Sequence, residues 1–287
     1  MGSRFVFVGN RRFVLQEMQR QHVDLAAVIA IRGSHLQRDL ERADVDVAHQ
    51  VVGSKAELLS VLAETAYDTL ISNGCPYILP IAKMPVARYV NIHPSCLPDL
   101  RGVDPVIGAV LHARDSGATC HIMDSGIDTG PIIAQVRIPY TDDLDVTSLY
   151  QLSFVAEQRA FDLALKRDFV PLLTQTAGPN DIYFSRTAAD QIITFEEPND
   201  LLLRKIKAFN NRSQGCEFKI NERLYRVYAA SRMHNPFLLE YTAAYNEGLV
   251  VFSYENSIIF RKDGEVLRFM DIVSTDGGPV SVGDRLF

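Results

Sequence analysis

The sequence predicts an α/β protein with a mainly parallel sheet, followed by a smaller β-rich C-terminal domain. Three observations predict it. In the first part of the chain, short β-branched runs alternate with longer amphipathic stretches, the pattern of a parallel sheet with covering helices. A long stretch with helical apolar spacing then closes that part. Beyond it, short alternating strands replace the helix–strand rhythm. With 47% hydrophobic and 22% charged residues in 287, the composition is that of a globular chain able to bury a core without staples.

Residues 5–8 (Phe-Val-Phe-Val) read as a buried strand and 13–21 as a helix. A second strand is expected over 25–31. Residues 56–66 are helical, with Leu58, Leu59, Val61 and Leu62 on one face. Strands follow at 69–71 and 89–92, then at 119–123 and 132–138 with a Gly-rich loop between these two. The helix over 146–165 carries Val146, Leu149, Leu152, Val155 and Phe161 on its apolar side. Residues 174–180 (Thr-Gln-Thr-Ala-Gly-Pro-Asn) look like a linker, which divides the chain into domains at 1–178 and 179–287. The second domain should hold a helix over 200–208 and strands at 217–220, 224–229, 249–252, 257–260 and 266–272. Asp263-Gly264 suits the turn of a hairpin.

The formal charge is -6, so no global basic field draws the chain to nucleic acid or to an anionic membrane. The apolar start breaks at Asn10-Arg11-Arg12, unlike a secretory leader, and no apolar run is long enough to span a bilayer. Cys75, Cys96, Cys120 and Cys216 form no Cys-x-x-Cys pair, which argues against a disulfide framework or a zinc knuckle. Reduced thiols in a cytoplasmic protein are expected, without a metal.

The chemistry concentrates around Asn91-Ile92-His93-Pro94-Ser95. It lies at the C-terminal end of a strand, where open α/β sheets bind ligands. Asn91 and His93 are two apart and so leave the same strand face. An amide donor beside an imidazole suits addition of an amine to a carbonyl-level carbon: the amide holds the developing oxyanion and the imidazole takes or relays the amine proton. The segment 121–131, His-Ile-Met-Asp-Ser-Gly-Ile-Asp-Thr-Gly-Pro, supplies two carboxylates, and one of them near His93 would raise its pKa and fix its tautomer. Taken alone, Asp124 and Asp128 each read as Asx turns, His121 as a structural strand residue, and His112 as a helix C-terminal cation.

Taken together, Asn91-x-His93-Pro94-Ser95-x-Leu97-Pro98, Arg101-Gly102 and 121–131 resemble the folate-dependent formyltransferase family, over roughly the first 175 residues. Among its members the chain is most similar to the sugar-nucleotide N-formyltransferases. The resemblance implies a Rossmann-like core and N10-formyltetrahydrofolate as co-substrate. It assigns Asn91 to the formyl oxygen, His93 to accepting a proton or to stabilising charge as a cation, and Asp128 to orienting and charge-balancing His93. It also implies that the pterin lies against two loops, at Ser72, Gly74, Tyr77 and Ile78 and at Met123, Asp124 and Ile127.

For the acceptor, Gly9-Asn10-Arg11-Arg12 is a phosphate-friendly strand-to-helix turn, with Asn10 and Arg11 as candidate contacts; a plain turn with solvated arginines is the alternative. Arg101 in the Leu-Pro-x-x-Arg-Gly turn is a further candidate. Residues 201–216 hold four cations and no acid, and Arg212 and Gln214 in the polar turn there could grip a diphosphate. Residues 180–287 carry 13 Lys and Arg against 15 acids, whereas a tRNA-binding domain should show a basic excess. The expected acceptor is the amine of a nucleotide-linked amino sugar, with a 4-amino sugar as the working form, and not a nucleic acid. Methionyl-tRNA formyl transfer, a folate-dependent hydrolase and a non-catalytic folate or sugar-nucleotide binding protein remain the alternatives. A homodimer is the family-level expectation.

Overall fold

The computed structural model describes residues 3–42, 48–275 and 277–287. Two compact units emerge. The first comprises residues 1–105, 115–139 and 151–184, and the second 106–114, 140–150 and 185–287.

The first unit is built on a seven-stranded sheet of order β3-β2-β1-β4-β5-β6-β7. Its strands are β1 (Phe5–Gly9), β2 (Leu25–Ile31), β3 (Gln50–Val52), β4 (Thr69–Asn73), β5 (Arg88–His93), β6 (Ser116–Ile122) and β7 (Ile132–Ile138). β1 through β5 pair in parallel, whereas β5–β6 and β6–β7 are antiparallel. The strand order reverses between β1 and β4, so the crevice beyond their C-terminal ends is the topological switch point. Its helices are α1 (Phe13–Arg20), α2 (His35–Leu40), α3 (Lys55–Glu64) and most of α5 (Val146–Lys166); α4 (Pro105–Leu111) falls almost wholly in the second unit.

The period-2 alternation of β1 shows how the sheet is covered. Phe5 and Phe7 point into one cluster with Val14, Leu15 and Met18 of α1 and Ala156, Ala160, Phe161 and Ala164 of α5. Val6 and Val8 point into another with Leu58 and Leu62 of α3. Burial on both faces explains the unbroken apolar run of this strand. α3 starts one residue earlier than its apolar pattern, because the Ser54 hydroxyl accepts from Glu57 N at 3.1 Å and caps it. α2 and β3, six and three residues long, are too short for any periodicity and are absent from the sequence reading.

The second unit holds α6 (Asn199–Ala208), β8 (Cys216–Ile220), β9 (Arg223–Val227), β10 (Ala229–Met233), α7 (Pro236–Thr242), β11 (Val250–Tyr254), β12 (Ser257–Lys262), β13 (Glu265–Met270) and β14 (Val273–Ser274). The single strand expected over 224–229 is two strands, which join different antiparallel sheets of order β14-β9-β8 and β10-β13-β12-β11. An aromatic core ties those sheets together: Phe218 meets Phe269 edge-on at 5.2 Å and Phe260 meets Phe269 at 4.8 Å. The β12–β13 turn has left-handed φ at Asp263 (50°) and Gly264 (75°), as a two-residue hairpin of this hand requires. The missed helix α7 carried its own signal, an Asn235 cap followed by Pro236 at N1.

The stretch read as a linker is a strap along the first unit. Ile132 N donates to Leu173 O at 2.8 Å, Arg101 N to Ile182 O at 3.1 Å, and Phe184 N to Arg101 O at 2.8 Å.

Candidate functional site

β5 carries Asn91 and His93 side by side at its C-terminal end, and the antiparallel register sets His121 of β6 directly opposite Asn91. The turn after β5 is held from β6 and, beyond it, β7. The Thr119 hydroxyl donates to Ser95 O at 2.7 Å and accepts from Leu97 N at 3.1 Å, and Gln135 Nε2 donates to Leu97 O at 2.9 Å. This turn brings the Leu100 carbonyl within 2.9 Å of His93 Nε2. The loop between β6 and β7 delivers Asp128. Its Oδ2 lies 3.5 Å from His93 Nδ1 and accepts from Gly102 N at 3.1 Å. Its Oδ1 accepts from Asn91 Nδ2 at 3.4 Å and lies 3.7 Å from His121 Nε2. Gly102 is obligatory there: its φ is 106°, and a Cβ would stand 2.6 Å from Phe184 O.

Both nitrogens of His93 face oxygens, so the imidazolium would satisfy both and the neutral ring only one. Burial is nonetheless the largest influence and holds His93 below the ordinary histidine range; Asp128 and the Leu100 carbonyl pull upward, while His121 and Arg11 push further down. A neutral imidazole at physiological pH is a proton acceptor. For Asp128, burial is again the largest influence and raises the carboxyl. The His121 hydrogen bond, the His93 charge and Gly102 N–H together outweigh it and hold Asp128 below the usual carboxylate range. The pair is therefore a base and a fixed anion, with the Asn91 amide beside them.

Asp124 is exposed and braces its own loop, accepting from Gly126 N at 3.0 Å and Thr129 Oγ1 at 2.6 Å. Ser72 is buried beside Asn91 in the β4–β5 ladder. Gly74 has φ 72° and leaves no room for a side chain, its Cβ position being 2.2 Å from Asn10 Oδ1. Tyr77 and Met123, from two different loops, pack on the same apolar cluster, while Ile78 and Ile127 are exposed.

The acceptor candidates fare differently. Asn10 Oδ1 is buried without a partner. Arg11 is not a solvated loop residue: its guanidinium lies 3.3 Å from the fully buried Glu157 carboxylate of α5 and over the Phe154 ring. Arg101 Nη2 donates to Gln175 Oε1 at 3.0 Å. In the second unit, Lys205 is engaged by Glu197 and Lys207 by the Asp142 carbonyl, whereas Arg212 is exposed over the Tyr228 ring. Gln214 is buried and accepts from Asn211 Nδ2 at 2.7 Å, bracing its own turn.

Three residues absent from the sequence-based site join it here. His121, read as structural, contacts both Asn91 and Asp128; Glu157 holds Arg11; and Gln175 holds Arg101. The His121 signal was its register with Asn91, which no spacing within one strand reveals. Glu157 was visible as an acid in the apolar stripe of α5.

A family model described as formyl transferase matches residues 17–165. The chain is 32% identical over 162 residues to the methionyl-tRNA formyltransferase of Janthinobacterium sp. (strain Marseille), covering 54% of this chain and 51% of that protein. The match thus spans about half the length of that relative, whereas the methionyl-tRNA formyltransferase of Lactobacillus johnsonii (strain CNCM I-12250 / La1 / NCC 533) is 25% identical over 99% of this chain and 95% of that protein. Its fold is similar to that of WlaRD, a sugar 3N-formyl transferase solved in the presence of dTDP and 5-N-formyl-THF. There the TM-score is 0.70 and the identity 21%, over 97% of this chain and 100% of that one. The N-formyltransferase of Helicobacter canadensis, in complex with folinic acid and dTDP-3-aminofucose, gives a TM-score of 0.70 at 19% identity, over 94% and 99% of the two chains.

Proposed function

The chain belongs to the formyl transferase family, and on that footing we propose that it moves a formyl group from N10-formyltetrahydrofolate to the amine of a nucleotide-linked amino sugar. The observation that carries formyl transfer is the convergence of Asn91, His93 and Asp128 from β5 and the β6–β7 loop. The folate would supply the formyl carbon at an activated oxidation level. Loops 72–78 and 123–128 would receive it, where Gly74 bars a side chain and the apolar faces of Tyr77, Ile78, Met123 and Ile127 suit a flat ring.

The acceptor amine must arrive unprotonated to add to the formyl carbon. Asn91 Nδ2 is the donor for the oxygen that gains negative charge as the amine adds. His93 takes the amine proton, and Asp128 keeps the ring oriented and offsets the charge it gains; as the adduct collapses, the C–N10 bond would break with its electron pair going to N10, which would receive that proton back from His93 and leave as tetrahydrofolate. Asn91→Ala is expected to lower kcat with little change in either substrate KM, because the charge it meets develops only near the transition state. Steady-state kinetics check this, and an unchanged kcat would remove Asn91 from the reaction.

The sugar-nucleotide acceptor rests on charge. The absence of a basic excess over 180–287 is a poor match to tRNA, and the proteins of similar fold over nearly the whole of both chains include sugar N-formyltransferases. The identity to methionyl-tRNA formyltransferases keeps that acceptor as the competing reading. Among the cations of 201–216, Arg212 is the exposed one without an acidic or carbonyl clasp, so Arg212→Ala is expected to raise the acceptor KM with kcat little changed. The experiment is turnover with formyl-folate against dTDP-, UDP- and GDP-linked 3- and 4-amino sugars and charged initiator tRNA. Turnover with tRNA alone would overturn the sugar acceptor and leave formyl transfer standing.

A further inference from the structure

Gln175 is the one residue of 171–180 that is not exposed, in a strap pinned at Leu173 on one side and at Ile182 and Phe184 on the other. Its carboxamide is fully used. Nε2 donates to Asp128 O at 3.0 Å and to Gly130 O at 2.7 Å, and Oε1 accepts from Arg101 Nη2 at 3.0 Å. The guanidinium can only donate and the carbonyls can only accept, so this orientation of the amide is the one that satisfies every partner. Asp128 sits in the left-handed region, with φ 55°, a conformation a non-glycine residue keeps only when its surroundings impose it. Gly130, two residues on, packs against β6 so closely that a Cβ there would stand 1.9 Å from Ile122 O.

Resting on the function proposed above, we propose that Gln175 is a positioning residue. It clamps both carbonyls of the Asp128 turn, keeps the carboxylate in register with His93, and ties that turn to Arg101. The two protons of one amide fix the carbonyls on either side of Thr129, and with them the direction of the Asp128 side chain. The groups facing His93 are Asp128 from the β6–β7 loop, His121 from β6, Arg11 from the start of α1 and the Leu100 carbonyl; Gln175 acts on it only through the first. Outer residues that orient a reacting group typically cost about 10–100-fold when removed, and that is the fall in kcat expected for Gln175→Ala, with both KM values moving far less.

The test is a double-mutant cycle with two readouts on the full chain: kcat for formyl transfer, and the His93 titration followed by NMR of the imidazole. Asp128→Asn removes the charge that raises His93, so its titration moves to lower pH. Gln175→Ala should move it the same way, by part of that shift. The double variant should match Asp128→Asn alone in both readouts, because residues acting as a unit are not additive. Gln175→Met keeps the length of the side chain and removes both amide donors without adding a charge near His93. It should reproduce the alanine result, and it serves if the alanine variant does not fold. A His93 titration identical to wild type in a folded Gln175 variant, or strictly additive losses in the cycle, would overturn the proposal. The NMR arm needs no substrate, so a wild-type protein that transfers no formyl group but shows the shared shift would sink the function and leave the clamp intact.

Discussion

His93→Ala or His93→Asn is expected to lower kcat by at least about 10²-fold, the usual scale for a general base. The ring lies between the Asp128 carboxylate and the Leu100 carbonyl, and it is the titratable group whose burial most decides the pH behaviour of the site. Because that burial holds its pKa below the ordinary value of about 6.5, the His93 limb of the wild-type kcat profile should lie on the acidic side of neutral pH. Any further rise with pH belongs to deprotonation of the acceptor amine. The sign is fixed: protonation removes the base, so activity is lost on the acidic side of the depressed pKa. Asparagine cannot accept the proton, and its profile should lack this limb. A pH series of kcat on both proteins is the measurement, and near-normal turnover in either variant would take His93 out of proton transfer.

Asp128→Asn should cost about 10²-fold or more in kcat, the scale on which a general base feels loss of its charged partner. Asp124→Asn, four residues earlier in the same loop, should cost much less. The contrast follows from what each carboxylate touches. Asp128 faces His93, His121, Asn91 and Gly102 N–H. Asp124 touches only Gly126 N and Thr129 Oγ1 among its recorded contacts, through an oxygen that asparagine also has. Asparagine tolerates the left-handed φ of position 128, so the backbone stays as it is and the charge alone is removed. If the ranking reversed, Asp124 would be the reacting carboxylate and the loop would have to turn over to bring it to His93.

Much of this site was legible before any coordinates. Asn91 and His93 were paired by the period of a strand, a local fact. Asp128 was singled out from Asp124 only by the family resemblance of 121–131, since alone each read as an Asx turn. His121 was not legible, because its part depends on which residue of β5 it faces, a pairing 30 residues distant in sequence. Gln175 was hidden differently. Its neighbours are exposed and aperiodic, and a Thr-Gln-Thr-Ala-Gly-Pro-Asn stretch carries every compositional sign of a linker. What makes it matter is that one side chain turns inward, and composition does not encode direction. The setting of Arg11 was hidden in another way. Its position after β1 was phosphate-friendly, but the acid that occupies its charge lies on α5, 146 residues away.

The antiparallel pairing of β5 with β6 also governs which insertions and deletions the chain can survive. Along β6, Cys120 faces the apolar cluster and His121 the reacting side chains. One residue added or lost between Thr119 and His121 would exchange them, pushing an imidazole among Phe7, Ile92 and Ala118 and presenting a thiol to Asp128. The same slip would move Thr119 away from the Ser95 and Leu97 backbone that it holds. Length variation compatible with activity should therefore collect at the far ends of β6 and β7, around residues 112–115 and 139–145. The spans from Asn91 to Gly102 and from Ser116 to Pro131 should keep their length to the residue, whatever substitutions accumulate within them.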